Sequence, residues 1–362
     1  MDDNQRSCLG FSLCGGFGPV TFKKLVKYYT SPSKAFNAPE SQLLKLIRES
    51  QAGRLIAFRK NYNAEKELDK LKRQNVWVIA CTAKNYPKQL LELYDPPICL
   101  FGKGNILLFD FLKDTFVGIV GTRKATAYGA QATQWISRAL SSQNIVIVSG
   151  MAIGVDTFAH KGAIDEEGRT IAVLGTPVDT VYPRENAGLC NTIISGYGIV
   201  ISEYPPGYAI NQGTFVARNR IIAALSQRLI VVEGGIQSGA LITAKCAGEL
   251  GRDVYAVPGP ITSESSKGPN SLIQDGAHVL THPNILLTGK QQLTAVKKEN
   301  KPSLLTDTEE KLFAFLSSES LFSDELAQKV KLPISDILPT LSLLEVRGIV
   351  KKNADGSFTV RV

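Results

Sequence analysis

The stretch FVGIVGTRKATAYGA, residues 116–130, is the clearest indication of the fold of this chain. Its first five residues are apolar or glycine without polar alternation, which is typical of a strand buried on both faces. A glycine turn, Gly121-Thr122-Arg123, follows, and a helical pattern begins at about Ala127. A strand that passes through a glycine turn into a helix is the repeating unit of parallel α/β sheets.

The same pattern recurs along the middle of the chain. Between the apolar runs lie stretches long enough for helices, such as 127–143 and 239–250. We therefore predict an α/β fold with a Rossmann-like, doubly wound, mostly parallel sheet, in which ligands bind beyond the carboxyl ends of the strands. The predicted strands are Phe116–Gly121, Ile145–Gly150, Thr170–Gly175, Ile199–Tyr204, Arg228–Gly234 and Asp253–Gly259.

Glycine-rich turns follow several of these strands and precede helices. The turns are Gly121–Arg123, Ser149–Asp156 and Glu233–Ala240. Glycine lets backbone amides approach an anion at a helix N-terminus, and Arg123 can add a charged fork. The first turn is neither G-x-G-x-x-G nor a Walker loop, so a dinucleotide site is poorly supported. A row of turns along one edge fits a polyanion, although each turn alone could be a structural βα connection.

The stretch FVARNR, residues 215–220, offers groups that a nucleic acid strand could use. Arg218 and Arg220 could meet phosphates, Asn219 could form hydrogen bonds, and Phe215 could stack on a base. Taken alone, the stretch is equally typical of a helix start with solvated arginines and a core phenylalanine. Two candidates for catalysis, Asp156 and His160, follow the second predicted strand. They fit a helix cap and a packed histidine better than an acid–base pair.

The two ends of the chain have a different character from the middle. Residues 1–70 indicate short helices, and the loop Gly15–Pro19 resembles a SAM-like or helix-hairpin-helix unit that could hold a phosphate, although a plain packing domain is an open alternative. Residues 71–287 form the predicted Rossmann-like domain and 288–302 a polar linker. Residues 303–362 indicate three helices and a hairpin, a winged helix. Its third helix lacks an Arg/Lys cluster, which favours protein docking over major-groove reading.

Charge and composition limit the class of protein. The 362 residues carry a net charge of +8, of which residues 1–114 contribute +7, whereas 115–287 are neutral. The middle must therefore bind an anion through amides and a few placed arginines. We find no membrane span and no signal peptide, and expect a cytoplasmic protein. The six scattered cysteines are expected to be free thiols, and we predict neither a metal nor a cofactor.

Several motifs in this order resemble one family. They are GTR (121–123), SGMAIGVDTFAH (149–160), SEYPPG (202–207), FVARNRII (215–222), SGALITA (238–244), VYAVPG (254–259) and GPNSLIQDGA (268–277). The combination closely resembles the DprA/Smf family of DNA-processing proteins of bacterial natural transformation. The resemblance is dense over residues 115–285, and helical N-terminal and winged-helix (DML1-like) C-terminal domains are common but variable additions in that family.

The resemblance implies a protein without catalytic activity. It implies that the chain binds and protects incoming single-stranded DNA, helps to load the recombinase RecA, and forms a homodimer through the Rossmann-like domain. The residues that the resemblance and the turns together assign to DNA are Gly121, Thr122, Arg123, Ser149, Gly150, Met151, Gly154, Arg184, Phe215, Arg218, Asn219, Arg220, Ser238, Gly239, Thr243 and Lys245.

The sequence departs from the family pattern at two points. Ile153 stands where the family often has arginine, and the turn after the third strand reads Gly175–Asp179 without the usual cysteine. Two other functions stay open. One is a nucleotide-processing enzyme of the lysine-decarboxylase-like phosphoribohydrolase type, but the turn at Glu233–Ala240 lacks the acid that such enzymes carry in the following helix. The other is a scaffold or regulator that acts through the winged helix.

Overall fold

The computed structural model describes residues 1–287, 307–316, 319–346, 349–353 and 356–360. These residues group into two compact units, one within Met1–Leu293 and the other within Thr294–Val362. The predicted linker 288–302 lies outside the described residues. In the part of the chain that the structure describes, no helix is both long and apolar enough to cross a lipid bilayer.

Within residues 1–287, nine strands form one sheet in the order β1-β2-β6-β5-β4-β3-β7-β8-β9. The strands from β6 to β9 are parallel, and β1 and β2 extend the β6 side antiparallel. The prediction of a mostly parallel, doubly wound sheet is confirmed, while β2 was not predicted. The strands are β1 Trp77–Ala80, β2 Cys99–Gly104, β3 Phe116–Val120, β4 Val146–Ser149, β5 Thr170–Val173, β6 Gly198–Ser202, β7 Arg228–Val231, β8 Asp253–Ala256 and β9 His278–Val279.

Helices connect the strands and form the N-terminal region. In residues 1–287 they are α1 Asp3–Cys14, α2 Pro19–Tyr29, α3 Pro32–Phe36, α4 Glu40–Leu43, α5 Glu49–Asn61, α6 Ala64–Arg73, α7 Ala127–Ser141, α8 Val155–Asp165, α9 Ala187–Thr192, α10 Gln212–Leu225, α11 Gly239–Glu249 and α12 Lys267–Gln274. Local sequence sets their starts. Thr126, for example, caps α7 by accepting a hydrogen bond from the amide of Gly129 at 3.1 Å.

The central strand β3 shows why both faces of the sheet are covered. Phe116 and Val120 pack into the apolar core that also holds residues of α10 and α11. Val117 and Ile119 point to the opposite face and pack into the core shared with α7 and α8. Since successive side chains of a strand alternate between faces, a run of apolar residues requires helices on both sides.

The N-terminal helices pack on the antiparallel side of the same sheet. Phe11 lies at the centre of their core and contacts three other phenylalanine rings edge-on, at centroid distances of 5.3 to 5.4 Å. This core continues onto Phe101 of β2 and onto Val178, in the turn after β5. The helical region therefore belongs to the same compact unit as the sheet, although a domain boundary near residue 70 stays a prediction. The cysteines form no disulfide in the described residues.

The second unit contains α13 Asp307–Leu316, α14 Ser323–Val330 and α15 Ile334–Val346, with the strands β10 Val350–Lys352 and β11 Phe358–Val360. The two strands pair antiparallel, and Leu321 bridges to Phe358. Leu312, Leu326 and Leu341 are buried in its core. The arrangement confirms the predicted winged helix.

Candidate nucleic-acid interface

A cavity of about 410 Å³ lies beyond the carboxyl ends of β3 and β7. The strand order reverses at this point, because β4, β5 and β6 extend to one side of β3 while β7, β8 and β9 extend to the other. Such a switch point is where doubly wound sheets bind ligands. The predicted site residues that line this cavity are Gly121, Thr122, Arg123, Phe215, Arg218, Asn219, Ser238, Gly239 and Thr243.

Close packing of the βα turns brings the backbone to the cavity. The amide of Thr122 donates to the carbonyl of Glu233 at 2.7 Å, which joins the turn after β3 to the turn after β7. Gly154 has φ +86°, and a Cβ on it would lie 2.4 Å from the carbonyl oxygen of Thr122. Only glycine fits there without strain. As a result α7, α8 and α11 all begin at this edge, with the positive ends of their dipoles towards it.

The N-terminus of α11 contributes polar groups at the cavity wall. Ser238 is its N-cap and accepts a hydrogen bond from the amide of Ala240 at 3.3 Å. The side-chain amide Nδ2 of Asn219 donates to the carbonyl of Gly239 at 3.2 Å, which links α10 to the first turn of α11. Arg123 is exposed at the opposite wall. The cavity therefore combines an exposed positive charge with backbone and hydroxyl groups, a set that suits phosphate oxygens.

An aromatic pair lies where the cavity meets a smaller adjoining one, because Phe215 lines both and Tyr182 lines the smaller. Phe215 lies in the first turn of α10, half-buried, and lines the cavity. The ring of Tyr182 lies against it at a centroid distance of 5.3 Å and is half-exposed. Sequence reasoning did not assign Tyr182, although its place two residues before Arg184 in the motif YPREN was visible. The two rings offer an apolar surface on which bases can stack.

Arg218 is a buried structural residue. Only 6 % of the residue is exposed. Its guanidinium donates to the carbonyls of Gly150 and Val173 at the ends of β4 and β5, and its Nε donates to Asn219 Oδ1 at 3.1 Å. Arg218 forms the floor of the cavity and holds the ends of two strands in place. Its hydrogen-bond partners are protein carbonyls and Asn219, and its predicted contact with DNA stays a prediction.

Asp156 and His160 are both buried, and Asp156 also lines the cavity. Asp156 is the second residue of α8, whose N-cap is Gly154, so it is not the helix cap that the sequence favoured. Asp156 accepts a hydrogen bond from the amide of Ala152 at 3.2 Å. Burial raises the pKa of its carboxyl, and the guanidinium of Arg218 opposes this. Burial, with repulsion from Arg218, lowers the pKa of His160 to about 3, so the ring is neutral. A neutral, enclosed ring has no access to a ligand in the cavity.

Arg220 is engaged in ion pairs away from the cavity, and its contact with DNA stays a prediction. Its guanidinium pairs with Glu203 at 2.6 Å and with Asp95 at 3.2 Å, on the side of the sheet formed by β2 and β6. Arg218 and Arg220 are two positions apart on α10, so they project from nearly opposite faces of the helix and only Arg218 faces the cavity. The two carboxylates come from distant parts of the sequence, so local reading could not find them.

The side chains of Ser149 and Met151 are buried away from the cavity, and contact of either residue with DNA stays a prediction. The hydroxyl of Ser149 is buried and donates to the carbonyl of Ile119 at 2.6 Å inside the sheet. Met151 is fully buried in an apolar cluster with Ala172 and Leu174. Neither side chain reaches the cavity, because both residues belong to the supporting layer under the turn.

The remaining predicted residues lie near the site without lining the large cavity. Gly150 lines a small adjoining cavity of about 50 Å³, together with Ile153 and Tyr182. Arg184 is exposed beyond Tyr182. Lys245 is exposed on α11, with its Nζ 4.0 Å from Glu249 Oε1. Contact of Arg184 and Lys245 with DNA stays a prediction.

Glu233, the carboxylate nearest to the turn that an enzyme of the phosphoribohydrolase type would use, is engaged elsewhere. It is buried and accepts hydrogen bonds from the amide and hydroxyl of Thr126, at 2.9 and 2.6 Å, and from the hydroxyl of Ser265 at 3.1 Å. A carboxylate with these partners anchors the start of α7. It does not face the cavity as a general acid or base would have to.

Comparison with known proteins adds the family to this geometry. The pattern of the family described as DNA recombination-mediator protein A matches residues 77–290, and that of the DprA winged helix domain matches residues 296–356. The chain belongs to this family. It is 32 % identical over 391 residues to Protein Smf of Synechocystis, covering 97 % of each chain. It is 45 % identical over 196 residues to the DNA processing protein DprA of Streptococcus pneumoniae, covering 54 % of this chain and 68 % of that one.

Solved structures of DprA proteins share the fold. The X-ray structure of DNA processing protein A from Streptococcus pneumoniae superposes with a TM-score of 0.66 at 34 % identity, covering 78 % of this chain and 96 % of that one. The protein from Helicobacter pylori superposes with a TM-score of 0.53 at 31 % identity, covering 58 % of this chain and 93 % of that one. The latter structure gives insight into a unique single-stranded DNA binding mode.

Proposed function

We propose that this DprA family protein binds single-stranded DNA in the cavity at the carboxyl ends of β3 and β7, and that it does so without chemical conversion of the DNA. It takes up and protects the strand that enters during natural transformation and helps to load RecA. We place this activity in the cytoplasm, where that recombinase acts, and in a homodimer.

The observation that carries the proposal is the pairing of two kinds of surface in one cavity. Arg123, the turn Gly121–Arg123 and the start of α11 at Ser238–Gly239 supply charge and amides for phosphates. Phe215 supplies a ring for a base, and Tyr182 packs against it in the adjoining small cavity. Stacking on rings accepts every base, and phosphate contacts carry no sequence information. The combination is typical of a site for single strands of any sequence. The relative from Helicobacter pylori, with its single-stranded DNA binding mode, supports this assignment.

A binding experiment tests the site. Labelled oligo-dT is titrated with the full chain, and fluorescence anisotropy is read at several salt concentrations. We expect tight binding that weakens steeply with salt. Arg123→Ala and Phe215→Ala should each weaken binding by about 1–3 kcal/mol, whereas Arg73→Ala, an exposed arginine on α6, should leave it unchanged. Full affinity in a folded Arg123→Ala, Phe215→Ala double variant would refute the site.

The partner and the absence of chemistry need separate measurements. Loading of RecA predicts faster RecA-driven strand exchange on DNA coated with a single-stranded DNA-binding protein, and the Arg123→Ala variant should lose this effect. An unchanged exchange rate with the wild-type chain would remove RecA from the proposal and leave DNA binding intact. Release of free base from nucleoside monophosphates would instead show an enzyme. Sedimentation of the purified protein would report the expected dimer.

A further inference from the structure

A second cavity, of about 260 Å³, opens where the N-terminal helices meet the loop that follows β6. Its walls are the loop Gly15–Pro19 on one side and Glu203–Pro205 with Tyr208 on the other. Because β6 runs parallel to β5, β4 and β3, the end of β6 lies at the same edge of the sheet as the first cavity. The site proposed above does not use this cleft.

One wall of the cleft is an aromatic step. The rings of Tyr204 and Tyr208 stack with a centroid distance of 4.7 Å and an interplanar angle of 30°. Tyr208 is 38 % exposed, although a large ring would gain from burial. An exposed ring that is held in place by a second ring is a ready surface for one base.

The opposite wall carries groups suited to a phosphate. Gly18 is the N-cap of α2 and has no side chain to accept from the first amides of that helix. The exposed guanidinium of Arg54 lies beside Gly16, next to the residues that line the cleft, since a Cβ on Gly16 would be 2.7 Å from Arg54 Nη1. Gln51 donates to the carbonyl of Gly16 at 2.8 Å and holds the loop on α5. Helix amides and a guanidinium together form an anion site.

A buried carboxylate oxygen between these walls lacks a well-aligned partner. The side chain of Glu203 lines the cleft and is 7 % exposed, and its Oε2 pairs with Arg220 at 2.6 Å. Its Oε1 is buried and has no well-aligned hydrogen-bond partner among residues 1–287 and the other described segments, although the Tyr204 hydroxyl is near enough to interact with the carboxyl group. An unsatisfied buried acceptor is costly unless a donor reaches it. Bases carry N–H groups on their Watson–Crick edges, and such a group would satisfy Oε1.

The two cavities are close enough to serve one strand. From β6 to β3 the sheet spans about 14 Å at its usual strand spacing. The loop after β6 joins Tyr208 directly to α10, whose first turn carries Phe215. Residues 1–114, which carry the net charge of +7, supply one wall of the cleft. A polyanion that leaves the neutral middle of the chain in this direction would therefore move towards positive charge.

We propose that the cleft between Gly15–Pro19 and Tyr208 is a second subsite of the single strand, which holds one nucleotide with its base on Tyr208 and its phosphate beside the loop and Arg54. The proposal rests on the function proposed above, because the strand must also occupy the first cavity. It assigns the N-terminal helices a direct part in DNA binding.

The test is a length series. Anisotropy is measured for the full chain with labelled oligo-dT of about 4, 8, 12 and 20 nucleotides, the range over which single-strand sites vary in size. We expect Tyr208→Ala to bind the shortest oligonucleotide like the wild type and the longer ones about five-fold to a hundred-fold more weakly. Arg54→Ala should show the same dependence on length. Tyr208→Phe, which keeps the ring, should restore binding, and Tyr28→Ala, an exposed tyrosine of α2, should have no effect.

Each outcome separates this proposal from the function on which it rests. Wild-type affinity of a folded Tyr208→Ala variant at every length would overturn the second subsite, and so would an equal loss at every length. If Arg123→Ala still weakened binding in either case, the first cavity would stand. If the wild type bound no oligonucleotide, the proposed function itself would fail. Competition by dTMP as strong as by the long oligonucleotide would show a site for free nucleotides and would also overturn the subsite.

Discussion

Arg123 and Arg218 line the same cavity in opposite surroundings. Arg123 is exposed and available to a ligand, while the guanidinium of Arg218 is enclosed by the carbonyls of Gly150 and Val173. Burial of a charge is tolerated only when hydrogen bonds and an opposite charge compensate, and Asp156 supplies that charge. At the residue scale, the environment of each arginine decides whether it binds DNA or supports the site.

This difference predicts different effects on stability. Arg218→Ala should lower the free energy of unfolding by about 3–5 kcal/mol, because it leaves Asp156 and two carbonyls without their partner. Arg123→Ala should change it by no more than about 0.5 kcal/mol. Urea unfolding followed by far-UV circular dichroism measures both. A fully stable Arg218→Ala variant with reduced affinity for oligo-dT would show that Arg218 serves the ligand after all.

Ile153 offers a gain-of-function test of the site. It is 45 % exposed and lines the small cavity together with Arg123 and Tyr182. Ile153→Arg should tighten oligo-dT binding by about 1 kcal/mol, or five-fold, and steepen the salt slope by about 0.7. Ile285→Arg, at a residue 44 % exposed away from the cavity, adds the same charge as a control. Equal gains in both variants would mean that general charge, not this cavity, attracts DNA.

His160 predicts a dependence of stability on pH. Its Nδ1 lies 2.7 Å from the hydroxyl of Thr170, which itself donates to the carbonyl of Ile147, so the ring is a donor at Nδ1. Its pKa of about 3 lies below the value of about 6.5 in the unfolded chain, so the unfolded state binds more protons in between. The contribution of the neutral His160 ring to the free energy of unfolding is therefore fully present above about pH 6.5 and is lost as the pH falls below that value.

Between pH 7.5 and pH 5.5, the free energy of unfolding of the wild type should fall by about 1.4 kcal/mol more than that of His160→Gln, which has no ring to protonate. Unfolding of both proteins at the two pH values measures the difference. The exposed His278 and His282 are present in both proteins and cancel. A difference between the two proteins that does not change with pH would contradict the buried neutral ring.

At the element scale, Glu233 joins the end of β7 to the start of α7 through Thr126. We expect Glu233→Ala and Thr126→Ala each to destabilise the chain by about 1–3 kcal/mol, since a hydrogen bond to a buried charge is lost. The losses should not add, because the two residues act as one unit, so the double variant should fall short of the sum by about 1 kcal/mol. Additive losses in a double-mutant cycle of unfolding energies would separate the two residues.

Most of the strands and helices could be predicted from the sequence, and those that could not were missed for a physical reason. The strands β3 to β8 follow from apolar runs that end in glycine or polar turns, and the winged helix follows from three helical stretches and a hairpin. The strand β2 has the sequence CLFGKG, whose two glycines and lysine hide the strand pattern. It forms because its backbone pairs with β6, and this pairing cannot be predicted from its own side chains.

At the scale of the whole molecule, every residue assigned to either cavity lies within the first compact unit. A chain that ends at Leu287 should therefore fold and keep its affinity for oligo-dT within about a factor of three, because separate sites contribute independently. Anisotropy on the truncated and full chains tests this. A loss of ten-fold or more in a folded truncated chain would give the winged helix a part in DNA binding, against the expectation from its third helix.

The sequence by itself determined the class of the sheet, the edge at which the site lies and the membership of the DprA family. These follow from local patterns, since carboxyl ends of parallel strands meet at one edge and glycine turns mark those ends. Only the tertiary structure decided that Arg220 pairs with Asp95 and Glu203, that Arg218 is enclosed, and that Tyr182 joins Phe215. It alone brought the loop Gly15–Pro19 to Tyr208. Burial and ion pairing depend on distances between residues far apart in the chain, and no local pattern records those distances.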